Sequence, residues 1–367
     1  MKKGKLPENH LMERISKKDA DALAWLKFRL NPDTEMPTVA DWPALIAFAE
    51  KQALIGVCLP DERPSNIDQK LALQWIGQVQ MIDRRNMLLN ERISQLFKML
   101  EDAGFDCCLL KGQGNAEMYP NPLARCSGDI DVWVDEKEDV VYQFVREQKP
   151  NAEETFKHIH FPIFDDAPVD VHSLPLRFYS AHYKKRLDCW IEQNKSEQFA
   201  HKIKLTGIEI EVNVPTRFFN VIYQMGHMMI HTFDEGVGLR QVVDYFYVLR
   251  GLDVSANEIS EMSATLKRLG MYKFAQAIMW IEAIVLGLPT GQCLVEPNEN
   301  LGRKLLCDIL EGGNFGHHSE RYGGRKGFYY RGIVEALRDL KWFFINPREV
   351  SCRLLNKMGT ALKHAVQ

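Results

Sequence analysis

The stretch Gly128-Asp129-Ile130-Asp131-Val132-Trp133-Val134 decides how this chain is read. Carboxylate and apolar residues alternate through its first half, and the run then turns wholly apolar. A period of two marks a β-strand with one polar face, and the apolar continuation predicts that the strand runs on into a buried sheet. In such a strand side chains i and i+2 share a face, so Asp129 and Asp131 point together while Ile130 and Val132 point into the opposite layer. Two carboxylates roughly 7 Å apart along a strand can bracket divalent ions. Phosphoryl transfer uses this arrangement, because metal ions neutralise the phosphate oxygens and lower the pKa of the attacking group.

Working outward, Phe105 to Leu110 is an apolar run of strand length, Gly112 to Tyr119 is long enough for one or two helical turns, and Asn121-Pro122 marks a turn. Downstream, Asp139 to Glu147 predicts a helix, and His158 to Phe164 and Pro168 to His172 predict two strands around the turn Asp165-Asp166. In Pro168-Val169-Asp170-Val171-His172, Asp170 and His172 share a face, which makes Asp170 the candidate third carboxylate. His172 is the candidate for orienting an acceptor or relaying a proton near neutral pH. Asp165 and Asp166 are also acidic, but aspartate belongs in a turn for backbone reasons. His158 and His160 share a strand face and are expected to border an acceptor pocket. Lys202 to Leu205, Gly207 and Ile208 to Val212 predict a hairpin with Ile208, Ile210 and Val212 on one face.

Both flanks read as helical. Asp21 to Leu26 and Asp41 to Ala49 follow plausible aspartate caps, and a long amphipathic helix is expected from near Asp68 to Glu101, with Gly104 suited to its left-handed cap. After Pro215-Thr216 helices are expected over Arg217–Thr232, Leu239–Leu252, Asn257–Arg268, Lys273–Leu286 and Arg331–Phe344, with a basic, glycine-containing loop over Ser319–Lys326. The expected fold class is α+β, with a small mixed sheet. The expected divisions are an N-terminal helical region over 1–78, an α/β core over 79–214 and a C-terminal helical domain over 215–367.

Composition agrees with a folded chain. Of the 367 residues 46% are hydrophobic and 26% charged, and the formal net charge of −3 demands no polyanionic partner. The basic start Met1-Lys2-Lys3-Gly4-Lys5-Leu6-Pro7 leads into Glu8-Asn9-His10 instead of an apolar core, so no secretory signal is read there. The most apolar stretch, Phe274 to Leu288, contains Gln276 and Glu282, is shorter than the ~20 residues of a membrane span, and reads as a buried helix. Eight scattered cysteines without a Cys-x-x-Cys pair fit a reducing cytoplasm, which is the expected location.

Taken together, Leu109-Leu110-Lys111-Gly112, Tyr119-Pro120, Arg125, Gly128-Asp129-Ile130-Asp131-Val132 and Val169-Asp170-Val171-His172 resemble the uncharacterised bacterial nucleotidyltransferases of the polymerase-beta-like superfamily. The likeness continues through His227, His231, Gly238-Leu239-Arg240 and Asp244, and spans most of residues 80 to 250. It implies a nucleoside triphosphate as substrate and Mg2+ or Mn2+ as cofactor, with Asp129 and Asp131 as metal ligands and Asp170 as the third acid. Where the wider superfamily has Gly-Ser opening the helix after its first strand, this chain has Gly112-Gln113, although that serine normally touches the terminal phosphates. Gly112 still permits a close backbone approach. Lys111 and Arg125, with Gly112 and Gln113, are the candidate phosphate-binding residues. The alternatives for the two cations are a strand-end lysine reaching water and a salt bridge from Arg125 to Asp129.

The implied activity is transfer of a nucleoside monophosphate to a hydroxyl of an acceptor, with a small molecule, a sugar and a protein side chain all admissible. The alternative is a nucleotide-binding or toxin-antitoxin-like partner-binding protein that keeps the fold without transfer. A third reading, a zinc hydrolase, draws on His227 and His231, four apart on an apolar helix. Packing of that pair against the helix carrying Arg240 and Asp244 is preferred, with Arg240 and Asp244 paired at i, i+4. The C-terminal cations Arg325, Lys326, Arg331, Arg338, Lys341, Arg348, Arg353, Lys357 and Lys363 lie near Trp342, Phe343 and Phe344. They read first as a solvated helix face and second as a surface for nucleic acid or an acidic membrane, so nucleic acid stays among the admissible partners.

Overall fold

The alternating stretch forms a strand, β2 (Ile130–Val134), all five residues of which are buried. It pairs antiparallel with β1 (Cys107–Leu110) and parallel with β4 (Val169–His172), and β4 pairs antiparallel with the short β3 (Ile159–His160). The sheet is therefore mixed and four-stranded, in the order β1-β2-β4-β3. The computed structural model describes residues 15–314 and 337–366.

The two faces of the sheet meet different cores. Ile130, Val132, Val134, Val169 and Val171 are buried with Leu89, Ile93, Leu96 and Phe97 of α3 (Gln69–Asp102) and Val141, Tyr142 and Val145 of α5 (Glu138–Gln148). On the opposite face Trp133 lies 5.8 Å from Phe219 of α7 (Arg217–Asp234), which in turn stacks on Trp190 of α6 (Ala181–Gln198) at 4.7 Å. The acids and Trp133 thus share one strand face, and α7 lies over it. Between β1 and β2 runs a short helix, α4 (Gly112–Ala116).

The second and third helices begin where the sequence places them, whereas the first starts earlier than Asp21, at Lys17, behind Ser16 instead of an aspartate cap. α1 (Lys17–Leu30), α2 (Trp42–Lys51) and α3 are capped by the side chains of Ser16, Asp41 and Asp68, which accept from backbone N–H groups of the first turn. After α7 come α8 (Leu239–Arg250), α9 (Ala256–Arg268), α10 (Tyr272–Trp280), a π turn over Ile281–Val285, α11 (Glu299–Gly312) and α12 (Pro347–Val366). Trp25, Phe48 and Trp75 from the first helices are buried in the same apolar cluster as Phe246, Ile278 and Leu306. The N-terminal and C-terminal helices therefore share a core that passes beside the sheet. No described helix is long and apolar enough to cross a membrane, and all eight cysteines are free.

Three local expectations change. The run His158 to Phe164 supplies only the two-residue β3. Phe161 still donates its N–H to Val169 O at 2.8 Å, and Pro162, which has no N–H, ends the ladder. The hairpin pairs β5 (Lys202–Lys204) with β6 (Glu211–Asn213) rather than with Ile208–Val212, and Ile210 is exposed. There the Glu117 carboxylate accepts from the N–H and hydroxyl of Thr206, which holds the turn residues away from the ladder. Helix α6 carries only a short apolar stripe, Leu187, Trp190 and Ile191, in 18 mostly polar residues, and the sequence reading passed over it. Of the predicted helix Arg331–Phe344, residues 337–341 are helical and 342–345 form a turn. The rest of that helix, Met1–Pro7 and the loop Ser319–Lys326 lie outside the described residues.

In the π turn, Glu282 is fully buried and neither carboxylate oxygen has a hydrogen-bond partner. Burial pushes its carboxyl well above the ordinary range. Below the unfolded-state value both states are protonated and folding carries no penalty, whereas above it folding must take up a proton, so stability falls as pH rises. Replacement by an apolar chain of similar shape, Glu282→Met, is expected to raise stability by about 1 kcal/mol or more near pH 8 and by less near pH 5. Urea unfolding of both proteins at the two pH values checks this.

Candidate active site

The parallel pairing of β2 with β4 sets Asp131 opposite Asp170, and the antiparallel pairing of β3 sets His160 opposite Asp170. Asp129, one residue before β2, is exposed, yet single oxygens of Asp129, Asp131 and Asp170 all lie within 4.8 Å of one another. The three acids that the sequence singles out therefore converge. His172, two residues beyond Asp170 on the same face, donates Nε2–H to Asp131 Oδ1 at 2.9 Å.

Lys111 enters from the end of β1, whose last residue, Leu110, pairs with Asp131. Its backbone has φ +50°, and Gly112 follows at φ +41°. A left-handed conformation in a lysine costs on the order of 1 kcal/mol or more, and here it turns the chain sharply from strand into α4. The turn delivers Lys111 Nζ to 2.8 Å from Asp131 Oδ2. Burial alone would raise the Asp131 pKa, but the ammonium of Lys111 and the hydrogen bond from His172 hold it well below the usual carboxylate range. For Lys111 burial acts downward, and the charge of Asp131 more than offsets it.

Asp170 sits in the opposite condition. Burial, then the charges of Asp131 and Asp129, push its carboxyl up, against the hydrogen bond donated by His160 Nδ1 at 2.6 Å. His158 Nε2 lies 3.4 Å from its other oxygen. Burial, followed by the neighbouring His172 and His160, lowers His158 to about 3.

Helix α7 forms the far wall. Lys111 Nζ donates to His227 Nε2 at 2.9 Å, His231 Nε2 lies 3.0 Å from His227 Nε2, and His231 Nδ1 reaches Glu235 at 2.8 Å. This histidine pair meets Lys111 on the cavity lining, which Arg240 and Asp244 of the neighbouring α8 also share. It joins neither of the metal-ligating groupings found among the described residues. Burial keeps His227 well below its ordinary value and lowers His231 as well.

Arg125 and Asp244 meet in a buried two-pronged ion pair, Nε and Nη2 each 2.7 Å from a different oxygen, and Tyr119 donates its hydroxyl to the same carboxylate at 2.6 Å. Asp244 is thus taken by Arg125 and not by Arg240, which donates to Cys126 O at 2.6 Å. Asp129 is not the partner of Arg125. Gln113 turns inward, donating to Asn90 Oδ1 and Asn86 O and accepting from Ser127 Oγ at 2.5 Å.

These elements enclose a cavity of about 360 Å³, lined by Lys111, Gly112, Arg125, Asp129, Asp131, Asp170 and His172 on one side and by Leu174, Pro175, Leu176, Gln224, His227 and Met228 on the other. The volume suits a ligand of nucleotide size. The loop after β4 reaches α7 because residue 226 is glycine, where a Cβ would lie 2.3 Å from Leu176 Cδ2. Sequence reasoning missed Lys157 and Arg177 on this lining. Lys157 Nζ bonds Asp234 at 2.9 Å, and Asp234 also meets Arg353 of α12. Arg177 is held by Glu138 and Ser173. Both cations lie in segments with no motif spacing, so nothing in the residue pattern marks them.

Residues 38–287, which include the whole of this lining, match the model of a family described as uncharacterised nucleotidyltransferases. The chain belongs to that nucleotidyltransferase family. No curated protein and no solved structure matches it. The α+β architecture with its small mixed sheet is consistent with a nucleotidyltransferase, and family membership makes nucleotidyl transfer the general activity, with a nucleotide as substrate.

In this nucleotidyltransferase the pair Arg125–Asp244 ties the turn before β2 to α8. Removing the cation leaves a buried carboxylate uncompensated, so Arg125→Met is expected to cost about 3–5 kcal/mol in urea unfolding near neutral pH. Burial pushes Asp244 up, but Arg125 outweighs it and the folded-state pKa is depressed. The stabilisation is therefore present above the unfolded-state value and lost as pH falls through the folded one, so the difference between variant and parent is expected to shrink in acid.

Proposed function

We propose that the chain is a metal-dependent nucleotidyltransferase of the polymerase-beta-like superfamily, of the bacterial group. It would move a nucleoside monophosphate from a triphosphate onto a hydroxyl of an acceptor. The observation that carries this reading is the convergence of Asp129, Asp131 and Asp170 within 4.8 Å across two paired strands.

The donor set fits magnesium or manganese, since three carboxylates offer hard oxygen ligands in one small volume. Lys111 supports the fit, because its ammonium already lies against Asp131 where positive charge is required. Bound divalent ions would neutralise the triphosphate and favour the ionised form of the attacking hydroxyl.

The protein's own groups divide the remaining work. His172 fixes the Asp131 carboxylate through Oδ1. Asp170, whose pKa is raised, is suited to accept the proton of the acceptor hydroxyl. Lys111, now on Asp131, would be able to reach phosphates where divalent ions compensated that carboxylate, at a turn where Gly112 lets the backbone come close. Arg125 lines the same cavity and adds positive potential while its guanidinium stays on Asp244. Gln113 contributes by bracing the turn from within, through Ser127 and Asn90, in place of the serine that the wider superfamily directs at the phosphates. The apolar stretch Leu174-Pro175-Leu176 is suited to a base or an acceptor body.

The inward turn of Gln113 also favours a second reading, a protein that binds a nucleotide or a partner without transfer. Incubation with each labelled nucleoside triphosphate, Mg2+ or Mn2+ and candidate acceptors separates the two. Transfer is expected to fall at least about 100-fold in Asp131→Asn and Asp170→Asn and to be weakened in Lys111→Met, with thermal unfolding as the control for folding. Nucleotide binding without turnover in the parent protein would select the second reading. No metal-dependent nucleotide binding at millimolar concentration would overturn both.

A further inference from the structure

Asp170 belongs to two groupings. One is the all-oxygen set with Asp129 and Asp131, and the other comprises His158, His160 and Asp170, whose ligand atoms also lie within 4.8 Å of one another. The second set stands on β3 and the residues just before it, on the side of Asp170 away from β2 in the strand order.

We propose that His158, His160 and Asp170 form a second cation subsite that takes a nitrogen-preferring divalent transition ion such as Mn2+, Co2+ or Zn2+. Asp170 bridges this subsite and the oxygen-only set. The inference rests on the reading above only for that shared use of Asp170.

Three observations support it. The Nε2 atom of His158 is buried and has no hydrogen-bond partner, yet it faces Asp170 Oδ2 at 3.4 Å. A buried ring nitrogen without a partner carries a desolvation cost, which ligation of its unprotonated form to a metal ion removes. Metal–ligand bonds of about 2.0–2.2 Å hold neighbouring ligand atoms about 3.3 Å apart in a tetrahedral shell, close to this separation. His160 Nδ1 now stands at 2.6 Å from Asp170 Oδ1, joined by one proton, and it must open by less than about 1 Å to ligate. Its side chain is 45% exposed, which leaves it room to do so.

The donor types set the preference. Two imidazoles and one carboxylate are a borderline-soft set that binds Mn2+, Co2+ and Zn2+ ahead of Mg2+, whereas three carboxylates show no such bias against Mg2+. One site therefore offers two cations unlike environments across a single carboxylate.

The test uses Co2+ alone, without nucleotide, so that its outcome does not depend on transfer. Titration of the full chain, followed by visible absorption, is expected to show one ion in a nitrogen-containing shell. Affinity for that ion is expected to fall at least about tenfold in His160→Ala and in the double variant His158→Gln/His160→Ala, and to persist in Asp129→Asn. Electron spin-echo measurement on the Mn2+-loaded parent protein needs no variant and is expected to show nitrogen coupling. Absence of nitrogen coupling would overturn the proposal, as would a Co2+ spectrum that survives loss of both histidines and disappears in Asp129→Asn. A failure of nucleotide transfer with Co2+ binding intact would overturn only the proposed function.

Discussion

The parallel register of β2 and β4 is the constraint around which the rest of the molecule is arranged, because it places Asp131 directly beside Asp170. Neighbouring strands lie about 4.8 Å apart, so two carboxylates in register on the same face repel in a region largely withdrawn from water. The surrounding structure answers each charge separately. Lys111 and His172 compensate Asp131, whereas Asp170 receives a hydrogen bond from His160 and answers the remaining repulsion with a raised pKa. The left-handed turn at Lys111 follows from the same demand, since only a sharp exit from β1 returns the ammonium to the strand beside it.

Much of this was legible before any coordinates. The alternation in Gly128 to Val134 carried the strand, and its partner Val169 to His172 repeats the pattern, so the convergence of the three acids followed from sheet geometry once the two strands were neighbours. Helix starts were equally plain where Asp41 and Asp68 supply the capping oxygen, but not at the first helix, which Ser16 caps. Residue spacing did not reveal partners distant in the chain. Arg125 reads as a cation near two aspartates, but its partner is Asp244, 119 residues away. His227 and His231 read as a helical pair, and nothing local announces that Lys111 points at them. Helix α6 was passed over for a different reason, since its apolar period is confined to Leu187, Trp190 and Ile191 among polar residues.

Gln113 shows how a polar side chain at the site's edge can serve the scaffold. The fold directs its amide inward to Asn86, Asn90 and Ser127. The contacts attach the first turn after β1 to the long helix α3, whose other residues support the rear of the sheet. The position therefore braces the turn from behind.

Asp234 closes α7 and faces two cations, Lys157 from the cavity lining and Arg353 from α12. Arg353 also meets the buried carboxylate of Asp339, whereas Lys157 shares Asp234 with it. The last described helix and a cation of the cavity lining are thus held against the same carboxylate, and an anion drawn to Lys157 would compete with Asp234 for it.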